Sequence, residues 1–239
     1  MGRKALVLIH AEPSIRWHSP WAQAFIAGLR RMGVEASTTT SRHRESDVAV
    51  LLGTTYWKAL EDDGGQFLLV DRCQYGDPEK WVTLGWNGRG RAAEFHAKNT
   101  AKRWRQHSVE LKPWQTGRDV VLCGELPEPP DLLQVAKACT HYRGHPARPQ
   151  NDTPLPTKRG WDNVGQAVTW RSSVAVQAVM DGIPTVTLNQ RNMAWDVSSH
   201  AVGEHWTGDR TKWCHWLAWC QWSFDEIKEG IPQIWDSHL

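Results

Sequence analysis

The sequence predicts an α/β protein built on doubly wound parallel sheet, with the pattern run twice along the chain. Three observations predict it. Short continuous apolar runs of strand length recur, the first being Ala5-Leu-Val-Leu-Ile9, as expected of strands buried on both faces. Segments with apolar residues at helical spacing alternate with them. A hinge-like stretch, Lys112-Pro-Trp-Gln-Thr-Gly117, is followed by a fresh strand–helix–strand series.

In chain order, Ser19-Pro20 opens a helix carrying Trp21, Ala24, Phe25, Ala27 and Leu29 on one face, and Gly33 ends it. Proline suits the first helical position because its missing N–H would be unpaired there anyway. Strands are predicted at residues 34–37, 48–52 and 67–70. A polar helix over 92–106, bearing Lys98, Lys102, Arg103 and Arg105, follows Trp86-Asn-Gly-Arg-Gly90. The second series reads strand 119–123, helix 131–138, strand 140–143, a proline-rich surface loop over 146–156, strand 167–169, helix 173–180 and strand 185–188. A final helix over 209–229 places Trp213, Trp216, Leu217, Cys220 and Phe224 on one stripe, with Trp219 and Trp222 off it. The expected division is a first domain over 1–114, a second over 115–205, and a C-terminal helix over 206–239 crossing back to the first half.

Composition sets bounds on function. A net charge of +2 permits a polyanionic partner without requiring one. The apolar run at 5–9 breaks at His10-Ala-Glu-Pro13, too short for a signal peptide or a membrane span. Cys73, Cys123, Cys139, Cys214 and Cys220 are odd in number and form no C-x-x-C pair. They suit a reducing cytoplasm better than a disulfide or zinc scaffold. The 16 tryptophans offer faces for stacking sugars or bases, although the ordinary use of an indole is to fill a core.

Three segments of the second half carry the chemistry. Val120-Val-Leu-Cys-Gly-Glu125 is a buried strand ending in a glycine turn, where a ligand could approach the backbone. His141-Tyr-Arg-Gly-His-Pro146 brings Arg143 and His145 to a strand end, groups suited to diphosphate oxygens. Val168-Thr-Trp-Arg-Ser-Ser173 leads a strand into two hydroxyls at a helix start, where free N–H groups favour an anion. Taken singly, each is also what an ordinary turn or a serine helix cap would show. Their combination, with Gly182-Ile-Pro184, resembles the "HP" and "S" motifs of GT-B glycosyltransferases, over about residues 119–190. The capsule polysaccharide synthase and Kdo-transferase group, with phage-encoded DNA-modifying relatives, is the part of that family most similar.

The resemblance implies a GT-B-like α/β fold of two facing Rossmann-like halves, bridged by the Trp-rich C-terminal helix, and a metal-independent hexosyltransferase reaction with no cofactor. It implies a nucleotide-sugar site of Gly124, Glu125, Arg143, His145, Trp170, Ser172, Ser173 and Gln177, in which His145 and the serines meet the donor phosphates. Gln177 stands where the family pattern usually has Glu. The catalytic pair expected is Asp71, as general base, and His145, with Asp77 and Glu12 as further candidate bases. Glu61-Asp62-Asp63 faintly resembles a metal-binding D-x-D and is set aside. Acceptor contacts are expected at Arg72, Tyr75, Trp86, Asn87 and Arg89, beside the basic segment 89–105. Such a surface suits a nucleic-acid backbone and an extruded base, though a solvated helix face has the same look. The function expected is transfer from a UDP-sugar to 5-hydroxymethylcytosine in DNA, in a host cytoplasm if the chain is encoded by a bacteriophage, with no membrane partner. Two alternatives stand beside it: a saccharide transferase using CMP-Kdo, and a non-catalytic nucleotide-sugar-binding module.

Overall fold

The computed structural model describes residues 6–43, 45–62, 64–98, 100–124, 134–144 and 155–235. Its elements run β1 (Leu6–His10), α1 (His18–Arg31), β2 (Glu35–Thr39), β3 (Val48–Leu52), α2 (Trp57–Asp62), β4 (Phe67–Arg72), β5 (Trp81–Trp86) and α3 (Ala101–Gln106). Then follow β6 (Asp119–Gly124), β7 (His141–Gly144), β8 (Val164–Thr169), α4 (Val174–Met180), β9 (Thr185–Thr187) and α5 (Thr211–Trp219). The chain closes with β10 (Gln221–Ser223), α6 (Phe224–Glu229) and α7 (Pro232–Trp235). Two compact units result: Met1–His107 with His215–Leu239, and Ser108–Cys214. The second division falls within α5. Among the described residues no helix is long and apolar enough to cross a membrane.

The first unit holds a six-stranded sheet in the order β10-β5-β4-β3-β1-β2. β2, β1, β3 and β4 are parallel neighbours, while β5 and β10 run antiparallel at one side. All five residues of β3 are buried, the pattern of a strand covered on both faces. Val7, Ile9, Val50, Leu52, Leu68 and Val70 meet Trp21, Phe25 and Leu29 of α1 on one face. Ala49, Leu51, Phe67 and Leu69 meet Tyr56 and Leu60 on the other. The close approach of α1 to α6 requires Gly28, since a Cβ there would stand 2.0 Å from the Ile227 carbonyl oxygen. The second unit is a four-stranded parallel sheet, β7-β6-β8-β9, with α4 on one face through Ala178.

Two predicted helices take a different form. Residues 92–106 are not one helix. A 3-10 turn at Gly90–Ala92 is followed by Glu94, which exchanges backbone hydrogen bonds with Trp86 at 2.9 Å each, and only then by α3. Residues 209–229 likewise do not form one bridging helix. α5 ends at Trp219, because Gln221–Ser223 pairs as an edge strand with Trp81–Thr83. The next helix starts at a capping box, in which Ser223 Oγ accepts from the Glu226 N–H and the Glu226 carboxylate accepts from the Ser223 N–H. The basic face expected on 92–106 also changes character at Arg103. That side chain is buried, donates from Nε to the Gln221 carbonyl at 2.8 Å and pairs with Glu226 at 2.5 Å, with its guanidinium 4.0 Å from the Trp222 ring.

None of the 16 tryptophans is fully exposed, and Trp21, Trp86, Trp213, Trp222 and Trp235 are buried. Their first role is therefore packing. His107 sits in such a cluster, 4.0 Å from the Trp81 ring and 4.9 Å from Tyr75. Burial, aided by the neighbouring Arg103 charge, pushes its pKa down from 6.5 to about 4.

Two outcomes are expected. Arg103→Ala, which strands Glu226 and opens the Trp222 face, should lower unfolding free energy by about 3 kcal/mol in urea at neutral pH. The His107 imidazole gains a proton more readily in the unfolded chain, so stability should fall as pH drops from 6.5 towards about 4. His107→Phe should flatten that part of the stability–pH curve.

Candidate functional site

Both units share one winding. The first strand of each lies between the second and the third, in the orders β2-β1-β3-β4 and β7-β6-β8-β9. Where chain connections leave in opposite directions from adjacent parallel strands, the loops at their carboxyl ends part and leave a crevice. That point falls between β1 and β3 in the first unit and between β6 and β8 in the second.

In the second unit the crevice edge is formed by Gly124, Gly144, Trp170–Ser173 and the loop after β9. The Tyr142 hydroxyl donates to the Gly124 carbonyl at 2.5 Å, holding the β6 exit against β7. Ser172 is fixed from two sides. Its N–H donates to Thr169 Oγ1 at 3.2 Å, and its Oγ accepts from the Val174 N–H at 3.3 Å. Ser172 Oγ thus fills a capping role while its own proton remains available to a ligand. Ser173 makes no side-chain cap bond and is exposed. Gln177, four residues on, is exposed on the same face of α4. Trp170 is half-buried beside Val168 and Val186. The Arg143 guanidinium lies 4.5 Å from the Trp161 ring, so its cation is stacked on an indole. The exits of β7 and β8 stand two strand spacings apart, about 10 Å, with Gly124 between them. His145 and Glu125 lie outside the described residues, as do Pro146 and most of the proline-rich loop.

Asn192 is a residue that the sequence pattern does not single out. It is buried and clamps the crevice from the β9 side. Its Nδ2 donates to the Ser172 carbonyl at 3.3 Å and its Oδ1 accepts from the Ala194 N–H at 3.0 Å. Nothing in Asn189-Gln-Arg-Asn192 marks that role, because the partner is 20 residues away and is a main-chain oxygen.

In the first unit the predicted acceptor residues separate into two groups. Asp71 stands at the exit of β4, half-buried, with its Oδ1 accepting from the Arg72 N–H at 2.9 Å. Burial raises its pKa, opposed by the Arg89 charge and the Arg72 backbone. Arg72 and Arg89 are both exposed, and the charges of both act on this carboxyl. Tyr75 and Trp86 do not join them. Tyr75 is buried between Trp104 and His107. Trp86 is a core residue whose indole N–H donates to the Ile234 carbonyl at 3.2 Å. Neither ring is offered to a base or a sugar. Asn87 closes a tight turn at positive φ, its Oδ1 accepting from the Phe67 N–H at 3.1 Å. Asp77 is an exposed turn residue paired with Lys80 at 3.7 Å. Glu61 and Asp62 are exposed at the end of α2, and Asp63 lies outside the described residues. Among the described residues no cluster of three or more His, Cys, Asp or Glu could hold a metal ion.

Glu12, the third candidate base, lies at the exit of β1. Its Oε1 accepts from Ser14 Oγ at 3.1 Å and Ser14 N at 3.4 Å, and its Oε2 accepts from the Tyr56 hydroxyl at 3.2 Å. Ser14, first through its backbone N–H, holds this carboxyl below the usual carboxylate range, with Tyr56 and His18 adding to the effect. Two carboxylates on one sheet edge are thus pushed in opposite directions, Asp71 up and Glu12 down.

The fold has known counterparts. Thermosulfurimonas dismutans KpsC, beta Kdo 2,7 transferase, superposes with a TM-score of 0.50 at 9% identity, covering 95% of this chain and 98% of that one. The beta Kdo 2,4 transferase of the same organism's KpsC gives 0.47 at 10% identity, with 91% of each chain covered. No protein-family model and no curated protein matches the sequence. The first likeness extends over nearly the whole of both chains and places this one in the GT-B type of fold, with parallel, Rossmann-like sheets.

Asn192→Ala should lower unfolding free energy by about 1–3 kcal/mol, since the Ser172 carbonyl and the Ala194 N–H lose their partner. Urea denaturation at neutral pH measures it.

Proposed function

We propose that the protein is a metal-independent glycosyltransferase that binds a nucleotide sugar at the carboxyl edge of β6–β8 and an acceptor on its first unit. The observation that carries this reading is the serine turn at Ser172-Ser173. It is clamped by Thr169 and Asn192 at the winding reversal of a parallel sheet, a place where such folds bind phosphates. His145 is assigned to the leaving phosphate, whose developing charge the imidazole and the serine hydroxyls would stabilise. Asp71 is assigned as the base. The acceptor hydroxyl gives its proton to the Asp71 carboxylate, its oxygen bonds to the anomeric carbon, and the carbon–phosphate oxygen bond breaks with its electron pair going to the phosphate.

A saccharide acceptor and a CMP-activated sugar of the Kdo type fit this chain better than hydroxymethylcytosine DNA with a UDP-sugar. The likeness to a Kdo transferase supports the first. The second loses two of its supports, because Trp86 is in the core and Arg103 is tied to Glu226. Arg89, Arg91, Lys98, Lys102 and Arg105 stay exposed and keep DNA as an arm of the test.

Thermal shift with CMP and UDP, followed by mass spectrometry of reactions containing CMP-Kdo or UDP-glucose with oligosaccharides or 5-hydroxymethylcytosine DNA, separates the two. Stabilisation by CMP and a Kdo-sized mass gain on a saccharide are expected. Failure of both nucleotides to stabilise the chain would sink the reading. In an active pairing, Asp71→Asn should cut kcat by about 10²–10⁴-fold and leave nucleotide binding intact. The acid limb of the wild-type rate profile should lie above the ordinary aspartate range, because only the ionised form of this raised carboxyl accepts a proton.

A further inference from the structure

The crevice between β1 and β3 contains a donor and an acceptor whose hydrogen-bonding senses are both fixed. His18, at the start of α1, is 1% exposed. The Glu12 backbone N–H donates to its Nδ1 at 2.9 Å, so that nitrogen carries no proton, and the neutral ring holds its single proton on Nε2. Burial lowers its pKa, with the Glu12 charge opposing, and so favours this neutral form. Trp17 packs edge-on against the imidazole with ring centres 4.5 Å apart and fixes its plane. Gly53, at the exit of β3, has φ +69°, and a Cβ there would stand 3.3 Å from Nε2. A glycine there spares Nε2 that contact.

The matching acceptor is Glu12 itself. Ser14 occupies both positions on Oε1, through its N–H and its Oγ, and the buried Tyr56 hydroxyl occupies one on Oε2. Oε2 retains a further lone pair. Ser14 and Tyr56 reach the carboxylate from its own turn and from the loop after β3, which limits its rotation. A ligand atom placed here meets a carboxylate and a neutral N–H. A phosphate would be repelled by the first at contact range, with the nearby cations being Arg42, whose charge acts on Tyr56, and Arg72, 5.9 Å from the Trp17 ring. A metal ion would find the imidazole Nδ1 occupied and Nε2 protonated. A pair of neighbouring hydroxyls satisfies both, one donating and the other accepting.

We propose that this crevice binds a vicinal diol of a saccharide, one hydroxyl donating to the Glu12 carboxylate and its neighbour accepting from His18 Nε2–H. The proposal rests on the glycosyltransferase reading and adds to it the residues and the pair of hydroxyls by which a saccharide acceptor is held. Glu12 and His18 bind and orient, while Asp71 keeps the proton transfer. His18 is then a donor and not a base.

The test is ¹⁵N-histidine NMR on the full chain, titrated with methyl α-glucopyranoside, methyl α-mannopyranoside and methyl α-galactopyranoside. Cyclohexanol serves as a ring of similar size with a single hydroxyl, and each series is run with and without CMP or UDP. His18 should show the neutral, Nε2-protonated pattern, and at least one pyranoside should move its Nε2 resonance while cyclohexanol leaves it in place. Glu12→Gln should weaken that pyranoside about tenfold, as expected for a charged hydrogen bond. His18→Gln, which retains an amide N–H donor, should weaken it less than His18→Ala. An Nδ1-protonated ring overturns the proposal, as does a resonance that no pyranoside moves. Nucleotide binding with an unmoved His18 removes the diol site alone. A pyranoside that moves His18 in a chain binding neither nucleotide leaves the site standing and removes the glycosyltransferase reading.

Discussion

The Arg103–Glu226 pair holds the C-terminal segment to the first unit, and much of that unit's order follows from it. One Glu226 oxygen accepts from Arg103 at 2.5 Å, from the Ser223 N–H at 2.8 Å and from Ser223 Oγ at 2.9 Å. The same contact therefore starts α6, ends β10 and neutralises a buried guanidinium. Charged groups out of water are tolerated when they are paired and their remaining hydrogen-bonding capacity is used. Here Nε is also spent, on the Gln221 carbonyl. The faces of Trp222 and Trp219 complete the enclosure at 4.0 and 5.2 Å.

That anchor reaches the candidate acceptor site through one side chain. Gln221 is fully buried, and its Oε1 accepts from the Gln74 and Tyr75 N–H groups at 2.6 and 3.3 Å. It thereby shapes the loop that leaves Asp71 and Arg72. β10 also covers the edge of β5, which would otherwise present unpaired backbone groups. The tail of the chain thus acts on the exit of β4 from more than a hundred residues away in sequence.

The shared strand order of the two units gives each an open carboxyl edge, and the residues placed there differ in kind. The β6–β8 edge carries hydroxyls, small residues and an indole, arranged around main-chain groups. The β1–β3–β4 edge carries two carboxylates, one held ionised by hydrogen bonds and one raised by burial. Separation of that sort suits the division of labour proposed for them, the first holding a ligand and the second moving a proton. A fold alone does not assign a reaction, and the chemistry of each edge lies in these side chains.

By itself, the sequence determined the strands buried on both faces. The strands at 48–52, 67–70 and 119–123 are legible because continuous apolar runs bounded by polar turns have few other uses, while the pairing carries two of them on to Arg72 and Gly124. It also determined the serine turn at 172–173, which is local, and a helix near Ser19-Pro20, although α1 opens at His18 with Trp17 at the cap and no side-chain cap bond, so that Ser19 does not cap it. The S-x-x-E signature of Ser223–Glu226 was equally local and readable, and it shows that the predicted helix over 209–229 had to break. Only the tertiary structure decided the rest. Whether Arg103 faces water or Glu226, whether Trp86 offers its ring or buries it, and which nitrogen of His18 carries the proton depend on partners distant in sequence or on a main-chain N–H whose direction a turn sets. Burial and hydrogen-bond satisfaction are properties of the assembled neighbourhood, and a linear pattern of residue types does not encode who the neighbours are.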